Sequence, residues 1–252
     1  MSADGLLQFD WPLPRGVRAA FTTRNGGASG APWDSFNIAT HVGDDPAAVA
    51  ANRERLAQLL GLPAEPSWLD QVHGIEVADL DARNPDTPVT ADASTSTLPG
   101  RVCVIMVADC LPVLFASRDG RRIAAAHAGW RGMAAGVLER TVTALDVAPA
   151  ELSAWLGPAI SQPYFEVGEE VRAAFAGAAD DGCFQANARG RWQADLVGLA
   201  RRRLAALGVG TISGGAWCTF TDRERFYSHR RDGKGGRMAA LIWRSLASSH
   251  PT

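Results

Sequence analysis

The chain has 252 residues, of which 46% are hydrophobic and 21% are charged, and its formal net charge is −2. This composition is that of an ordinary globular protein, and it excludes a disordered or collagen-like chain. Because 25 basic residues nearly balance 27 acidic ones, no overall field attracts nucleic acid or an anionic membrane. We therefore expect partners to be recognised locally, by a few side chains.

The sequence carries no targeting or membrane-spanning pattern. Its first five residues, MSADG, include an acid where a secretory signal would be basic, and no apolar run reaches the roughly 18 residues that span a bilayer. The four cysteines lack CxxC spacing, so each is expected to be a free thiol or a metal ligand. These observations predict a cytoplasmic protein without disulfides.

Strand and helix patterns alternate along the chain. Runs of β-branched and aromatic residues between turn signals predict nine strands, at residues 17–22, 67–72, 75–78, 102–108, 113–116, 123–126, 152–156, 211–217 and 238–243. Helical periodicity predicts four helices, at residues 46–60, 133–145, 169–176 and 196–207. Asp45, Pro46 and Gly61 are start and stop signals for the first helix, and Asp195 and Gly208 for the last.

This order of elements predicts an α/β fold class, with a single domain over residues 1–252 built on a mixed β-sheet flanked by helices. No βαβ repeat is present, which argues against a doubly wound nucleotide fold. The polar passage at residues 83–100 is predicted to be a functional or mobile loop. The tail after Trp243 is predicted to be frayed, which makes His250 a poor ligand candidate.

Three short motifs carry metal-binding or proton-transferring side chains at the ends of predicted strands. QVHG carries His73, ADC carries Asp109 and Cys110, and HAGWRG carries His127. A side chain at a strand end leaves the core while its backbone stays rigid. Cys110 and His127 are 17 positions apart, which is enough for a strand, a turn and a second strand that brings them together. We expect these residues to meet at one sheet edge.

Two imidazoles and one thiolate support two chemistries. As ligands, they would form a three-residue Zn²⁺ site with an open fourth position for an activated water. Alternatively, Cys110 is the nucleophile, deprotonated by His127, with Asp109 or Asp92 as the orienting acid. The residue types fit both, although a second histidine is surplus in a simple Cys/His dyad and expected in a metal site.

Other metal sites fit the sequence less well. A zinc deaminase of the usual type needs HxE followed by PCxxC, and neither is present. Five scattered histidines disfavour copper oxidase chemistry, so we expect Zn²⁺ rather than copper. His41 and His229 are further ligand candidates, and a closed structural site would need a fourth ligand such as Cys103 or His41.

Two arginines are candidates for binding an anion. Arg24 precedes an Asn-Gly-Gly turn whose backbone N–H groups can form an anion nest. Arg131 lies close to the start of the helix predicted over residues 133–145, whose dipole favours a phosphate or carboxylate. The basic run SHRRD at residues 228–232 is predicted to be a solvated loop.

Nine motifs, taken in order over nearly the whole chain, resemble a single family: FTTRNGG, NIA, VGD, WLDQVHG, ADA, ADCLP, HAGWRG, LGPAI and YSHRR. This is the laccase-domain family, whose members are variously labelled polyphenol oxidase, peptidoglycan editing factor and purine nucleoside phosphorylase. The resemblance implies a single-domain α/β fold shared in outline with cysteine hydrolases of the cytotoxic-necrotizing-factor type. It also implies a zinc site built from His73, Cys110 and His127.

Members of this family look like broad purine nucleoside enzymes, which cleave adenosine, inosine and methylthioadenosine with phosphate and also deaminate adenosine. The resemblance therefore implies a zinc-dependent purine nucleoside phosphorylase with adenosine deaminase activity, whose catalytic residues are Cys110, His127 and Asp109. Four residues are assigned to substrate or phosphate: Arg24, Asn37, Gln71 and Arg131. Three aromatic residues are candidates for stacking on the base: Trp33, Trp130 and Phe36.

Other functions stay open at this point. The editing-factor label implies cleavage of an amide in a peptidoglycan precursor, by a metal site or by Cys110 as covalent nucleophile. The laccase label implies oxidation of polyphenols, and a zinc-stabilised binding module would have no activity. We expect a nucleoside and phosphate as partners, with no nucleic acid and no membrane, and a monomeric chain.

Overall fold

A six-stranded mixed sheet forms the centre of the molecule. The structure, a computed structural model, describes residues 5–84, 87, 89–175 and 182–246. The sheet contains, in spatial order, β13 (Thr211–Gly214), β9 (Leu152–Leu156), β7 (Leu111–Ser117), β8 (Ile123–Ala128), β5 (Ala93–Ser96) and β3 (Val77–Asp79). The outermost pair on each side is parallel, and the inner pairs are antiparallel.

A three-stranded antiparallel sheet packs against the central sheet. It consists of β1 (Val17–Phe21), β14 (Met238–Arg244) and β6 (Val102–Val107), with β14 in the middle. Successive side chains of β6 alternate between two cores, since Ile105 packs towards the central sheet and Val104 packs with Leu56 of a helix. Because β6 is buried on both faces, its sequence is a continuous apolar run.

Two smaller sheets complete the β-structure within the described residues. The first pairs β2 (Leu69–Asp70) with β4 (Val89–Thr90), and the second contains β10 (Glu166–Val167), β12 (Trp192–Ala194) and β11 (Phe184–Ala186). The helices are α1 (Pro46–Leu60), α2 (Trp130–Ala135), α3 (Val137–Ala144), α4 (Glu169–Ala174), α5 (Leu196–Ala206) and α6 (His229–Asp232). None of the described helices is long and apolar enough to cross a membrane.

The predicted α/β class is confirmed, and so is the mixture of parallel and antiparallel strands. The strands divide among several sheets rather than lying in one. The helix caps are also as predicted, because Asp45 accepts a hydrogen bond from Ala47 N and Asp195 accepts one from Gly198 N. None of the four cysteines, all of which lie in the described residues, forms a disulfide. The likeness to cysteine hydrolases of the cytotoxic-necrotizing-factor type stays a prediction.

Three predicted elements are wrong. The basic run at residues 228–232 is not a solvated loop, because it forms α6 and the side chain of Arg231 is buried. The helix over residues 133–145 is two helices, because Gly136 adopts a φ of +106° that ends α2. The loop over residues 83–100 contains β4 and β5, and β5 is entirely buried between β8 and β3. Its sequence ASTS is short and polar, so the pattern resembles a turn although tertiary pairing makes it a strand. Ala176 and His250 lie outside the described residues.

Candidate metal centre

The three predicted ligands meet at one end of the central sheet. His73 follows β2, Cys110 immediately precedes β7, and His127 lies in β8, where it pairs with Pro112. One ligand atom from each of the three lies within 4.8 Å of the others. Cys110 Sγ is 3.7 Å from His73 Nε2, and the two imidazole rings cross edge to face with centroids 4.7 Å apart. The structure therefore brings His73, Cys110 and His127 together.

A fully buried carboxylate, Asp92, orients two of these ligands. Its Oδ1 lies 2.8 Å from His127 Nδ1 and accepts a hydrogen bond from His73 N, while its Oδ2 accepts bonds from the backbone N–H groups of Val72 and Gly74. Burial raises the pKa of Asp92, but the bonds from His127 and Gly74 outweigh it and keep the pKa below its usual range. An ionised Asp92 makes His127 Nδ1 the donor, which leaves Nε2 free to bind a metal.

The spacing of the donors fits one zinc ion. Tetrahedral zinc with bonds of about 2.3 Å to sulfur and 2.05 Å to nitrogen separates those atoms by about 3.6 Å, close to the 3.7 Å between Cys110 and His73. Gly129 lets the backbone of the HAG turn lie close to His73 and Cys110. A Cβ at position 129 would be 2.9 Å from His73 Cδ2 and 3.1 Å from Cys110 Sγ. Among the described residues, this is the one cluster of three or more such donors.

The metal-free cluster is a thiolate–imidazolium pair. Burial raises the pKa of the Cys110 thiol, but the charge and hydrogen bond of His127, followed by those of His73, lower it to about 6. Burial lowers the pKa of His127, but the Cys110 thiolate and the bond to Asp92 raise it to about 9. Cys110 is therefore anionic at neutral pH, which is the form that binds metals and attacks electrophiles.

A cavity of about 340 Å³ opens at the cluster, and we call it the Cys110 cavity. Its lining residues are His41, Gln71, His73, Met106, Val107, Ala108, Cys110, His127, Arg131, His229 and Arg237. Every histidine of the described part of the chain therefore lines it. The lining includes two arginines and no carboxylate, which suits an anionic ligand.

Two of the predicted substrate residues line the Cys110 cavity. Arg131 is exposed there, with its guanidinium 4.4 Å from the centre of the Trp130 ring. Gln71 also lines the cavity, but its amide is committed to the backbone of Met106. Its Nε2 donates to Met106 O at 2.9 Å, and its Oε1 accepts from Met106 N at 2.8 Å. Gln71 thus fastens the segment before His73 to the end of β6.

The other two predicted substrate residues lie elsewhere. Arg24 lines a separate cavity of about 990 Å³, which we call the Arg24 cavity, and its Nη2 pairs with Asp34 at 3.1 Å. Asn37 is fully buried and lines neither cavity. Its Oδ1 accepts hydrogen bonds from Ala39 N and Arg237 N, so it holds backbone that leads into the Cys110 cavity.

Asp109 precedes Cys110 in a turn with a φ of +83°, in the left-handed region. Its Oδ1 accepts a hydrogen bond from Thr219 Oγ1 at 2.5 Å. Its Oδ2 accepts bonds from Ser228 Oγ at 3.0 Å and Arg230 N at 2.7 Å. The carboxylate therefore joins the Cys110 turn to the start of α6.

The remaining candidates divide between the core and the cavity. Phe36 is fully buried, and neither Trp33 nor Trp130 lines the Cys110 cavity. Cys103 is fully buried in the core, where burial raises the pKa of its thiol to about 12. His41 lines the Cys110 cavity, as does His229.

Arg237 is the site residue that the motifs did not reveal. It is half-buried in the Cys110 cavity and lies directly before β14. A usable signal was present, since Arg237 follows a Gly-Gly pair and adjoins a predicted strand, as the other site residues do.

Comparisons with known proteins agree with the fold and the motifs. The model of the family described as multi-copper polyphenol oxidoreductase laccase matches residues 18–245. A purine nucleoside phosphorylase of Pseudomonas aeruginosa is 55% identical over 237 residues, which cover 93% of this chain and 96% of that protein. The purine nucleoside phosphorylase YfiH of Escherichia coli is 50% identical over 239 residues, covering 94% and 98%.

A solved structure has the same fold. The crystal structure of the Neisseria meningitidis protein NMB0706 matches with a TM-score of 0.91 and 47% identity, over 96% of this chain and 100% of that one. The resemblance predicted from the nine motifs is thereby confirmed. The chain belongs to the multi-copper polyphenol oxidoreductase laccase family.

Proposed function

We propose that this protein is a zinc-dependent purine nucleoside phosphorylase that accepts adenosine, inosine and methylthioadenosine. The observation that carries the proposal is that the metal-competent cluster shares its cavity with two guanidinium groups and no carboxylate. The volume of about 340 Å³ falls within the range of small-molecule sites. The names of relatives that are 50–55% identical over nearly their whole length support the same activity.

Phosphorolysis breaks the bond between the purine nitrogen and ribose C1′ and forms a bond from C1′ to a phosphate oxygen. The chain has to hold phosphate against C1′ and to protonate the departing purine. We assign phosphate binding to the cationic lining that includes Arg131. His229 lines the same cavity, and its imidazole is a side chain that can donate a proton, so we assign it the proton for the purine.

His73, Cys110 and His127 would hold the zinc ion, which when bound would supply a Lewis acid to the substrate. Asp92 would fix the ring of His127 and the backbone of His73. Asp109 already accepts three hydrogen bonds, so in this proposal it acts by positioning Cys110 rather than by donating a proton.

The family description names several copper ions, whereas the described residues supply one cluster of three donors. Two imidazoles and a thiolate suit a single copper ion as well as zinc. We propose zinc because an open three-ligand site serves transfer reactions without a change of oxidation state. The metal content of the purified protein distinguishes the two.

Phosphate dependence tests the proposed function directly. Metal-replete protein with adenosine and phosphate should release adenine and ribose 1-phosphate in equal amounts, and omitting phosphate should stop the release. Chromatography of the products measures both. Protein that holds one zinc ion per chain and cleaves no purine nucleoside under these conditions would refute the proposal.

We also propose that the Cys110 cavity deaminates adenosine as a secondary activity. This reaction replaces the 6-amino group with an oxygen from water and releases ammonia. Inosine should therefore form from adenosine without phosphate, and Cys110→Ser should abolish its formation together with phosphorolysis. Deamination that persists in that variant would come from a contaminant or another site.

One observation favours a second candidate function, a covalent amidohydrolase. Cys110, His127 and Asp92 have the order of nucleophile, base and orienting acid. Such an enzyme would form an acyl group on Cys110 Sγ while the amine leaves with a proton from His127. Mass spectrometry of metal-stripped protein should then detect the acyl adduct. Release of L-serine from a UDP-muramyl-serine substrate, without nucleoside turnover, would favour the editing function.

A further inference from the structure

The Cys110 cavity contains more basic side chains than metal binding requires. Besides the three predicted ligands, its lining includes His41, Arg131, His229 and Arg237. None of the lining residues is a carboxylic acid, and the Cys110 thiolate supplies one negative charge. Two guanidinium groups against one thiolate leave an excess of positive charge in a half-enclosed cavity, which favours an anion.

Arg237 lacks an acidic partner, in contrast to Arg24. Its Nη1 donates to the carbonyl oxygens of Gly235 and Gly236, at 3.1 and 3.0 Å, and no carboxylate of the described residues lies within ion-pair distance of it. The guanidinium of Arg24 pairs with Asp34. The two carbonyls occupy Nη1, and no hydrogen bond among the described residues uses Nε or Nη2 of Arg237, so these donors can bind a tetrahedral oxyanion. The guanidinium of Arg24 is already partly neutralised by its ion pair.

The position of Arg237 is fixed from the other end of the chain. Asn37 accepts a hydrogen bond from Arg237 N at 2.9 Å, and its Nδ2 donates to Asp44 Oδ2 at 2.8 Å. Asn37 also accepts from Ala39 N, two residues before His41. One buried amide thus positions the backbone of both Arg237 and the His41 loop.

The charge of Arg237 interacts with Cys110 and with His41. Burial lowers the pKa of Arg237, while the charges of Cys110 and Asp109 raise it. Burial lowers the pKa of His41, and the next largest cause is the positive charge of Arg237. Arg237 therefore acts on the thiolate ligand and on His41.

We propose that Arg237 is the principal residue of a phosphate subsite in the Cys110 cavity, completed by Arg131 and His41, with Asn37 as its positioning residue. The subsite rests on the proposed function for its use in phosphorolysis. It assigns inorganic phosphate to the Cys110 cavity and not to the Arg24 cavity. The phosphate would then share one cavity with the three predicted metal ligands.

Binding of inorganic phosphate without nucleoside tests the subsite independently of catalysis. Calorimetric titration of metal-replete protein should show phosphate binding that Arg237→Gln weakens by about 10- to 100-fold. Arg237→Lys keeps the charge without the fork and should weaken binding by a smaller factor. Arg140→Gln removes an exposed arginine of α3 outside the cavity lining, and it should change the dissociation constant less than twofold.

Steady-state kinetics then test the phosphate subsite separately from the proposed function. Arg237→Gln should raise the KM for phosphate by about the same factor and the KM for adenosine much less. The inference is overturned by unchanged phosphate binding in Arg237→Gln, or by a larger loss in Arg24→Gln. If Arg237→Gln fails to fold, wild-type phosphate affinity in Arg237→Lys overturns it instead. Phosphate binding through Arg237 without nucleoside cleavage would leave the subsite standing and remove the proposed function.

Discussion

The Arg24 cavity and the Cys110 cavity differ in volume and in the balance of charge on their linings. The Arg24 cavity is nearly three times as large, at about 990 Å³ against about 340 Å³. Its charged lining residues cancel: Arg24, Arg223, Arg225, Asp34, Asp222 and Glu224. The Cys110 cavity contains four histidines, two arginines and one cysteine without an acid. Unbalanced charge, rather than volume, marks the candidate active site.

The backbone shows the same contrast. Within the described part of the chain, three residues other than glycine have a positive φ, and two of them are His73 and Asp109. Both lie in the motifs that carry the predicted metal ligands, and hydrogen bonds to buried carboxylates hold both turns. No such residue lines the Arg24 cavity. A strained backbone conformation that is held in place by the surrounding structure is typical of functional sites.

Removing the sulfur ligand should have the largest effect. Cys110→Ser should lower zinc affinity by more than about 100-fold, because even residues behind the ligands contribute 10- to 100-fold. It should also abolish phosphorolysis. Metal analysis after dialysis measures the first effect. Cys218→Ser, which changes a half-buried cysteine outside the Cys110 cavity, is the control, and equal losses in both variants would contradict the assignment.

The next largest effect is expected from replacing a carboxylate beside the Cys110 cavity, and the matched change beside the Arg24 cavity is its control. Asp92→Asn weakens the bond that orients His127, so zinc affinity should fall by about 10- to 100-fold. Asp34→Asn removes the partner of Arg24 and should leave zinc affinity within twofold. Competition with a zinc-binding dye measures both. If Asp34→Asn lowered the zinc affinity as much as Asp92→Asn, the two cavities would not differ in metal binding.

The pH dependence of alkylation should separate Cys110 from Cys103 in metal-stripped protein. The pKa of Cys110 is lowered to about 6, so its thiolate fraction and its rate with iodoacetamide should rise from pH 5 to pH 7 and then level off. Cys103, with a pKa raised to about 12, should stay unmodified. Peptide mass spectrometry locates the adducts. A midpoint near pH 9 at Cys110 would contradict the thiolate–imidazolium pair.

The smallest effect is expected at the Arg24 cavity. Arg24→Gln removes an ion pair whose acidic partner is largely exposed, so the free energy of unfolding should fall by about 1 kcal/mol or less. Urea denaturation measures it. Phosphate binding should weaken less than in Arg237→Gln. A decrease of several kcal/mol would mean that the Arg24 ion pair is a major part of the fold.

The sequence predicted correctly those features that depend only on neighbouring residues. The cap at Asp45, the stop at Gly61 and the strand at residues 152–156 match the structure because each depends on neighbouring residues. The meeting of His73, Cys110 and His127 was also predictable, since each ends or adjoins an apolar strand. Pairing of β7 with β8 brings Cys110 and His127 together, whereas His73 follows a strand of a separate sheet and is held beside them by its hydrogen bond to Asp92.

Long-range pairing decided the rest. Strand β5 exists because β8 and β3 flank it, and its polar ASTS sequence carries no local sign of this. Besides its pair with Asp34, Arg24 donates to the carbonyl oxygen of Arg223, 199 residues later, so the guanidinium predicted to bind an anion has structural partners. Arg237 depends on Asn37, 200 residues earlier. Sequence patterns near each residue contain none of this information.

In the proposed site, His73, Cys110 and His127 jointly hold one zinc ion. Elemental analysis of the purified protein, combined with anomalous diffraction at the zinc edge, tests this assignment. We predict one zinc ion per chain and an anomalous peak within bonding distance of Cys110 Sγ and one nitrogen of each histidine. Several copper ions per chain, or a zinc peak away from these three side chains, would contradict the account.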